Sequence, residues 1–435
     1  MCARETALNV LIACRKDGAW SNGVLKEYCN RDGLDRREAA LATRLCYGVL
    51  QNRAKLDFYL KQLLTGKLRD LHPAVHDILL LGLYQIFEMD KIPDSAAVNE
   101  SVTLAKKYCR KQYNASSLVN GVLRNAVRLK GMLKEPDSLA ERYSHPQNLI
   151  NMLQAYVGLD RLEPMLQANN QAVPTVIQVN LNRCSTDSLM LQLTEAGIKT
   201  EHHPWLADCL ILSNTGSIDQ LAAFHDGLFY VQDAAARLSV QCAKIPNGAI
   251  VLDCCAAPGG KSFSAVLSGA GKVISCDIHS HKVALIEKGA ARLGFDQIKA
   301  HLFDATDFCA DWEAQMDVVI ADVPCSGYGI IRKKPDIRYK DPDSMQDLPA
   351  LQLAILTNQA RYVKPGGTLL YSTCTLVRKE NEGVVEKFLK CNPDFYTEPL
   401  ELPSNFKENT TGMLRLIPGE YDTDGFFICR LRRKI

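Results

Sequence analysis

Residues 250–261 read Ile-Val-Leu-Asp-Cys-Cys-Ala-Ala-Pro-Gly-Gly-Lys, an apolar run that ends in an acid and leads into a glycine turn. The run from Ile250 to Asp253 predicts a buried strand, and Gly260 begins a predicted helix. Glycine lets the backbone approach a ligand closely, and a helix N-terminus offers unpaired N–H groups. The segment therefore predicts the first strand and helix of a ligand-binding α/β sheet.

Strand-like and helix-like segments alternate from Gly248 to the C-terminus. The further predicted strands are Val273 to Asp277, His301 to Phe303, Val318 to Asp322, Gly367 to Tyr371 and Gly425 to Arg432, with a helix from Lys282 to Leu293 after the first of them. This alternation predicts a parallel, doubly wound sheet that binds ligands at the carboxyl ends of its strands. The predicted fold class of residues 246–435 is a Rossmann-like α/β domain.

The first 140 residues follow a different pattern, because apolar residues recur at helical spacing. The predicted helices cover Ala3 to Cys14, Ala39 to Leu50, Val75 to Phe87, Ala96 to Tyr108 and Leu118 to Leu129. Gly18, Gly66 and Pro93 separate these segments, and Asp94 with Ser95 is expected to cap the helix that follows. Residues 1–140 are therefore predicted to form an all-α domain.

Residues 141–245 join these two domains. A helical stretch that ends near Asn170 is followed by β-like runs at Thr175 to Val179, Cys209 to Leu212 and Leu228 to Val231, and by helical pieces at Ser188 to Ala196 and Ala234 to Cys242. The mixture predicts linker helices and a small α+β domain. The composition of this region leaves its role open.

The composition excludes several classes of protein. No apolar run among the 435 residues approaches the roughly 18 that a membrane span requires, and the first residues lack an apolar signal segment. The 16 cysteines include no C-x-x-C pair and none with the histidine spacing of a zinc site. We therefore expect a cytoplasmic protein with reduced thiols, no bound metal and no membrane partner.

Charge is distributed unevenly along the chain. Residues 1–140 hold 22 Lys and Arg against 15 Asp and Glu, whereas the remainder holds 29 against 34. A basic domain joined to a mildly acidic one is typical of proteins that bind a polyanion with one domain and carry out chemistry in the other, although a solvated helix surface explains the charges equally well. The best candidates for phosphate contacts in this half are Lys106, Lys107, Arg110 and Lys111.

A nucleotide-like cofactor is predicted at the glycine turn. Asp277 lies 18 residues after Gly259, at the end of the second strand, where an acid can accept hydrogen bonds from ribose hydroxyls. The turn lacks the G-x-G-x-x-G pattern of dinucleotide enzymes, so S-adenosylmethionine fits better than a nicotinamide dinucleotide. Asp304, after the third strand, is a candidate either for the adenine amino group or for a helix cap. The predicted cofactor-binding residues are Cys255, Ala256, Ala257, Pro258, Gly259, Gly260, Lys261, Asp277, Asp304 and Asp322.

Two cysteines lie in short motifs that follow predicted strands, Asp322-Val-Pro-Cys325-Ser-Gly and Tyr371-Ser-Thr-Cys374-Thr. One such cysteine is most simply a small buried residue, but two at strand ends beside a cofactor loop predict nucleophilic chemistry. The residues do not rank the two thiols. A Pro-Cys nucleophile, as in DNA cytosine-C5 methyltransferases, makes Cys325 the first candidate.

These motifs resemble those of the RNA 5-methylcytosine methyltransferases of the Nol1/Nop2/Sun type. The resemblance rests on Asp253-x-Cys255-Ala-Ala-Pro-Gly-Gly-Lys261, Asp322-Val-Pro-Cys325-Ser-Gly, Ser372-Thr-Cys374-Thr, Glu380-Asn-Glu382 and Asp424-Gly-Phe-Phe427. In that family the Thr-Cys thiol adds to cytosine C6 and the Pro-Cys thiol assists product release. The resemblance therefore implies that Cys374 attacks and Cys325 releases, and Asp322 is then placed to meet the Watson–Crick edge of the base.

A helical domain resembling NusB in front of this catalytic domain is the layout of the bacterial RsmB (Sun/Fmu) methyltransferases. The resemblance implies methylation of 16S rRNA at cytosine 967 by a monomer, and the target base has to be unpaired to be reached. Arg332, Lys333 and Lys334 are expected to contact RNA phosphates, with a solvated loop as the alternative. A tRNA methyltransferase of the same chemistry and a non-catalytic RNA-binding or assembly factor are the other hypotheses.

Overall fold

The computed structural model describes residues 2–17 and 19–435, so the predicted break at Gly18 lies outside the described residues. The chain divides into two compact units. The helical unit comprises the residues up to Asn170 together with Ile331–Asp341, and the sheet unit comprises Gln171–Ile330 and Pro342–Ile435. The three-domain division at residues 140 and 245 is a finer one, and it stays a prediction.

The helical unit packs around a single apolar helix. Its helices are α1 (Ala3–Asp17), α2 (Ser21–Arg31), α3 (Arg36–Leu63), α4 (Pro73–Glu88), α5 (Asp94–Tyr108), α6 (Ala115–Arg128), α7 (Leu139–Arg142), α8 (Gln147–Val157) and α9 (Leu159–Ala168). Ile78, Leu79 and Leu81 of α4 are fully buried, because α1, α3, α5 and α6 all pack against this helix. The all-α prediction for this region is confirmed.

Two details of the helical unit differ from the sequence prediction. The expectation that Asp94 and Ser95 cap α5 is wrong, because both residues lie inside the helix and its N-cap is Pro93. Pro93 has the extended backbone of an N-cap residue, so the helix begins directly after it. Helix α2 was not predicted, since its buried residues are Ser21 and Leu25 and they form no apolar stripe.

The segment Ile331–Asp341 is held in the helical unit by buried polar contacts. The Arg338 guanidinium donates hydrogen bonds to the carbonyl oxygens of Gln51 and Asn169, both at 2.9 Å. Ser21 Oγ donates to the Asp336 carboxylate at 2.7 Å. Buried charged groups are tolerated only when they are hydrogen-bonded, so these contacts account for the ordered position of the segment within this unit.

The sheet unit begins with a small antiparallel sheet in the order β2-β3-β1-β4. The elements are β1 (Thr175–Val179), α10 (Thr186–Glu195), β2 (Lys199–His203), β3 (Leu206–Ser213), α11 (Ala222–His225), β4 (Phe229–Val231) and α12 (Ala234–Cys242). β2 was not predicted, because its sequence is polar and it lies at the edge of the sheet. The predicted small α+β domain is confirmed as a fold.

The large sheet follows in the order β10-β12-β9-β8-β5-β6-β7, with β11 also paired to β12. Its elements are β5 (Ile250–Asp253), α13 (Gly260–Leu267), β6 (Lys272–Asp277), α14 (Ser280–Leu293), β7 (Ile298–Leu302), β8 (Met316–Asp322), α15 (Leu348–Ala360), β9 (Val363–Thr373), α16 (Glu382–Cys391), β10 (Phe395–Thr397), β11 (Met413–Leu416) and β12 (Phe426–Arg433). β5 to β9 pair in parallel, as predicted, whereas β10, β11 and β12 pair antiparallel.

The strand order reverses between β5 and β8. The chain runs outward from β5 through β6 to β7 and then returns to place β8 on the other side of β5. Open α/β sheets bind ligands at the carboxyl ends of the strands at such a switch point. Asp253 ends β5 and Asp322 ends β8, so both acids lie at this position. Within the part of the chain that the structure describes, no helix is long and apolar enough to span a membrane.

The close packing of α3 on α4 gives a stability prediction. A Cβ at Gly48 would lie 1.9 Å from Cζ of the buried Tyr84 ring, whereas a Cβ at Gly121 in α6 would meet no atom within 4 Å. Gly48→Ala should therefore destabilise the protein by about 1–3 kcal/mol through overpacking. Gly121→Ala should stabilise it by up to about 1 kcal/mol through helix propensity. Urea unfolding measures both changes, and effects of the same sign and size would contradict the packing.

Candidate active site

The turn after β5 forms one wall of a cavity at the switch point. Gly259 has a φ of +112°, which residues with a Cβ rarely adopt, and a Cβ there would lie 2.3 Å from Cζ of the Phe263 ring. A Cβ at Gly260 would lie 3.1 Å from Gln232 Nε2. The two glycines therefore let the turn lie close against the surrounding side chains.

The cavity has a volume of about 210 Å³. Its lining includes most of the predicted cofactor-binding residues, namely Cys255, Ala256, Ala257, Pro258, Gly260, Lys261 and Asp322. Gln232 and Asp253 also line it and were not among the predicted ligands. Apolar surface combined with a few polar groups and the first residues of a helix suits a small ligand that carries hydroxyl, amino and carboxylate groups. S-adenosylmethionine carries all three, so the residues present fit the predicted cofactor.

The other three predicted cofactor ligands, Gly259, Asp277 and Asp304, are not among the residues that line this cavity. Asp277 ends β6, is 7% exposed, and accepts a hydrogen bond from the His279 backbone N–H at 3.0 Å. Asp304 accepts hydrogen bonds from the backbone N–H and the hydroxyl of Thr306, at 2.8 and 2.7 Å. Asp304 thus stabilises the turn that follows it. The helix cap that the sequence also allowed is not formed, because the next helix, Ala310–Trp312, has Cys309 as its N-cap. Contacts of both acids with the cofactor stay predictions.

Asp253 is a fully buried carboxyl group beside the cofactor turn. Its Oδ2 accepts a hydrogen bond from Ser262 Oγ at 2.7 Å, and Ser275 Oγ donates to Ser262 Oγ at the same distance. Burial raises the pKa of Asp253 to about 7, although the hydrogen bond from Ser262 and the charge of Lys261 each lower the pKa in part. The group is therefore partly protonated at neutral pH.

Asp322 connects the cofactor turn to the cysteine motifs. Its Oδ2 accepts a hydrogen bond from Lys261 Nζ at 2.5 Å, and its Oδ1 accepts one from Ser372 Oγ at 2.7 Å. Burial lowers the pKa of Lys261, but the Asp322 carboxylate and other nearby negative groups raise it, and the net pKa is raised. Lys261 and Asp322 thus form a charged pair. The charges of Asp253 and Cys374 also raise the pKa of Lys261.

The structure brings the two predicted catalytic thiols together. Cys325 Sγ and Cys374 Sγ are 3.2 Å apart, although 49 positions separate them in the chain. β8 and β9 are parallel neighbours, and Asp322 is paired with Ser372 at their ends. The loops that leave these two strands therefore start side by side, and the backbone N–H of Gly329 donates to the Cys374 carbonyl at 3.0 Å.

Four further residues around the thiols were not predicted as site residues. They are Ser326 and Thr375, each directly after one of the cysteines, and Gln352 and Glu380. All four are buried and joined by hydrogen bonds. Only the structure shows that these polar residues are buried, because the sequence alone does not show which way a loop residue faces. Glu380 had one sequence signal, its place in the Glu-Asn-Glu pattern.

The predicted RNA-binding residues have different surroundings. Lys106, Arg110 and Lys111 are exposed near the connection between α5 and α6, and Lys107 forms an ion pair with Glu5. In the same connection the side chain of Tyr113 is 95% exposed, which the sequence did not indicate.

The second predicted group lies in the Ile331–Asp341 segment of the helical unit. Arg332 is only 7% exposed there, whereas Lys333 and Lys334 are half-buried. A guanidinium group with so little exposed surface has limited access to RNA phosphates. The proposed phosphate contacts of these three residues stay predictions.

The buried Asp253 gives a pH prediction. The folded carboxyl group, with a pKa of about 7, keeps its proton to higher pH than the unfolded chain, where the pKa is the ordinary 3.8. Asp253 therefore costs stability progressively as the pH rises from about 4 to about 7. Asp253→Asn removes the ionisation and keeps an oxygen for Ser262. The melting temperature of the wild type should fall relative to that of the variant across this window, and parallel thermal melting curves would contradict the assignment.

Comparison with known proteins places the whole chain in one family. A model described as 16S rRNA methyltransferase RsmB/F matches residues 240–432, the NusB family matches residues 1–128, and a ferredoxin-like domain of RsmF/B-like methyltransferases matches residues 145–219. The chain is 36% identical over 446 residues to the probable ribosomal RNA small subunit methyltransferase B of Bacillus subtilis, which covers 99% of this chain and 98% of the relative.

Two other matches agree with this result. Ribosomal RNA small subunit methyltransferase B of Klebsiella pneumoniae is 32% identical over 404 residues, covering 92% of this chain and 91% of the relative. The crystal structure of PH0851 superposes with a TM-score of 0.81 over 98% of both chains at 23% identity, which shows a shared fold. The chain therefore belongs to the RsmB/F family of ribosomal RNA small subunit methyltransferases, and it is an rRNA methyltransferase that uses S-adenosylmethionine.

Proposed function

We propose that this protein methylates C5 of an unpaired cytosine in 16S rRNA, cytosine 967 by family resemblance, through a covalent bond between Cys374 and C6 of the ring. The observation that carries the proposal is the arrangement of Cys325 and Cys374, 3.2 Å apart, beside a carboxylate, Asp322, that lines the cofactor cavity. The groups proposed for the chemistry all lie in the sheet unit of one chain, which supports action as a monomer. A 16S rRNA substrate would agree with the expected cytoplasmic location.

C5 of cytosine is by itself a poor nucleophile toward a methyl donor. The enzyme therefore has to add a nucleophile of its own to the ring first. Addition of the Cys374 thiolate to C6 breaks the aromatic system and gives C5 the character of an enamine carbon. S-adenosylmethionine, when bound, supplies an electrophilic sulfonium methyl group. After methyl transfer a base has to remove the C5 proton, so that the C6–S bond can break and the Cys374 thiolate can leave. Cys325, 3.2 Å from Cys374, is the proposed assistant for this release.

Asp322 is proposed to hold the base while Cys374 adds to it. Its two oxygens accept hydrogen bonds from Lys261 and Ser372, and its side chain remains 28% exposed. Each carboxylate oxygen can accept more than one hydrogen bond, so Asp322 can also accept one from the Watson–Crick edge of a cytosine. A base held by Asp322 would lie next to the cofactor cavity, because Asp322 also lines that cavity.

The helical unit is proposed to bind the rRNA around the target. Lys106, Arg110 and Lys111 are exposed, and no ion pair engages them among the described residues. Tyr113 projects from the same connection, whose ends are fixed by the buried residues Cys109 and Ala115. An exposed aromatic ring among cations suits a single-stranded segment, because the ring can stack on a base while the cations contact phosphates.

Substitution of the two thiols tests the roles proposed for them. Cys325→Ala should keep the attacking sulfur and lose efficient release, so a covalent protein–RNA adduct should accumulate with 16S rRNA and S-adenosylmethionine. Cys374→Ala should form no adduct and no 5-methylcytosine. Denaturing gel electrophoresis detects the adduct. Equal adduct formation by the two variants would overturn the assignment, and transfer to purified tRNA in place of rRNA would favour the tRNA alternative.

Tyr113 and its neighbouring cations can be tested separately in RNA binding. Tyr113→Ala should weaken binding by about 1–3 kcal/mol with an unchanged salt dependence, and Tyr113→Trp should restore it. Arg110→Ala with Lys111→Ala should instead reduce the slope of log K against log salt concentration by about 1.4. Filter binding to a single-stranded 16S rRNA fragment at several salt concentrations measures both effects. Leu159→Ala, at an exposed apolar residue of the same unit, is the control, and a loss equal to that of Tyr113→Ala would refute the stacking role.

A further inference from the structure

A buried carboxylate is hydrogen-bonded to the loop that carries Cys325. Glu380 is 3% exposed and ends a short 3₁₀ helix six residues after Cys374. Its Oε1 accepts a hydrogen bond from Ser326 Oγ at 2.6 Å, and its Oε2 accepts hydrogen bonds from Ser326 N at 2.9 Å and Gln352 Nε2 at 3.0 Å. Three donors converge on this group, which is the pattern that an ionised carboxylate requires when it is buried.

The partners of Glu380 are the residues that flank the thiols. Ser326 follows Cys325, and its Oγ is also 2.7 Å from Oγ1 of Thr375, the residue after Cys374. Gln352 Nε2 also donates to the carbonyl oxygen of Pro324, the residue before Cys325, at 2.9 Å. Glu380 therefore fastens the Cys325 loop on both sides of its cysteine and joins it to the Cys374 loop.

The charge of Glu380 also acts on the thiols. The pKa of Cys325 is raised well above its usual range by the hydrogen bond with Cys374, by burial, and by the charges of Cys374 and Glu380. Tyr371, Cys429 and Asp322 are further titratable groups nearby, and the pKa of Tyr371 is raised by burial and by the charges of Cys325 and Glu380. The Lys261 ammonium is instead hydrogen-bonded to Asp322. Negative charge on Cys325 is thus disfavoured, and Glu380 contributes to this.

We propose that Glu380 is a positioning residue for the two thiols, because its hydrogen bonds to Ser326 and Gln352 hold the Cys325 loop beside the Cys374 loop. The carboxylate of Glu380 on this side then makes Cys325 the less reactive of the two thiols. This assignment rests on the proposed cytosine chemistry and deepens it. In the free site Cys325 keeps its proton, and its sulfur is 3.2 Å from that of Cys374. Cys374 is then the thiol that is left to attack.

The same arrangement orders the two steps in time. When the Cys374 sulfur bonds to C6 it loses its negative charge, and the largest influence that keeps Cys325 protonated disappears. Cys325 can then release its proton to water and accept the C5 proton of the methylated ring, while the electron pair of the C5–H bond forms the C5–C6 double bond and the C6–S pair returns to Cys374. Cys325 is therefore unreactive during attack and available as a base during release.

The test is site-resolved alkylation of the full-length protein by iodoacetamide in the absence of RNA, followed by peptide mass spectrometry between about pH 6 and pH 10. Glu380→Gln keeps the volume of the side chain and removes its charge. Ser326→Ala keeps the charge and removes the hydroxyl link. Asp317→Asn is the matched control, since Asp317 is a hydrogen-bonded carboxylate of the same sheet that pairs with Lys364 and has no contact with the thiols among those described.

In the wild type Cys374 should react before Cys325. Glu380→Gln should raise the alkylation rate of Cys325 several-fold at a given pH and shift its pH profile downward, whereas Glu380→Asp and Asp317→Asn should leave the order of reaction unchanged.

Ser326→Ala should keep the order in which the two thiols are alkylated but lower kcat for rRNA methylation with little change in KM. This variant tests the hydrogen bonds that hold the Cys325 loop even if Glu380→Gln does not fold. An unchanged Cys325 profile in Glu380→Gln, or a wild-type kcat in Ser326→Ala, would overturn the proposal. Because the alkylation uses no RNA, its outcome does not depend on whether cytosine is the methylated base.

Discussion

The two hydrogen bonds of Asp322 hold the candidate active site together. One joins the carboxylate to Lys261 of the cofactor turn, and the other joins it to Ser372 at the end of β9, two residues before Cys374. Asp322 itself ends β8, three residues before Cys325. A single ion-paired carboxylate at the topological switch point thus connects the cofactor cavity with both thiols. The buried Glu380 fastens the same two loops from the opposite end of the cysteine motifs.

Much of the site could be predicted from the sequence, because its residues lie at the ends of strongly apolar strands. Parallel strands end at one edge of a sheet, so the acids at 253 and 322 and the cysteine at 374 had to lie near one another once their strands were recognised. The groups that hold Cys325 in place could not be found this way. Gln352 lies on a helix, Glu380 on a short turn, and only the folded chain shows that their polar atoms face the cysteine loops.

The same difference between local patterns and long-range contacts explains which helices and strands could be predicted. Helices with an apolar stripe and strands with buried central positions were predicted closely, as α4 and β5 show. β2 is a polar edge strand and α2 buries few residues, so neither has a periodic signal. The place of Ile331–Asp341 in the helical unit depends on Arg338, whose buried hydrogen bonds reach residues far away in the chain. Long-range contacts of this kind leave no local pattern in a sequence.

The central claim is that the Cys374 sulfur bonds to the target ring while Cys325 stays free during attack. Replacing the target cytidine of a 16S rRNA fragment by 5-fluorocytidine tests it most directly, because fluorine at C5 cannot be removed as a proton and the adduct persists. Wild-type protein incubated with this RNA and S-adenosylmethionine should yield a peptide in which Cys374 carries the methylated nucleotide. A nucleotide attached to Cys325, or to no cysteine, would contradict the account.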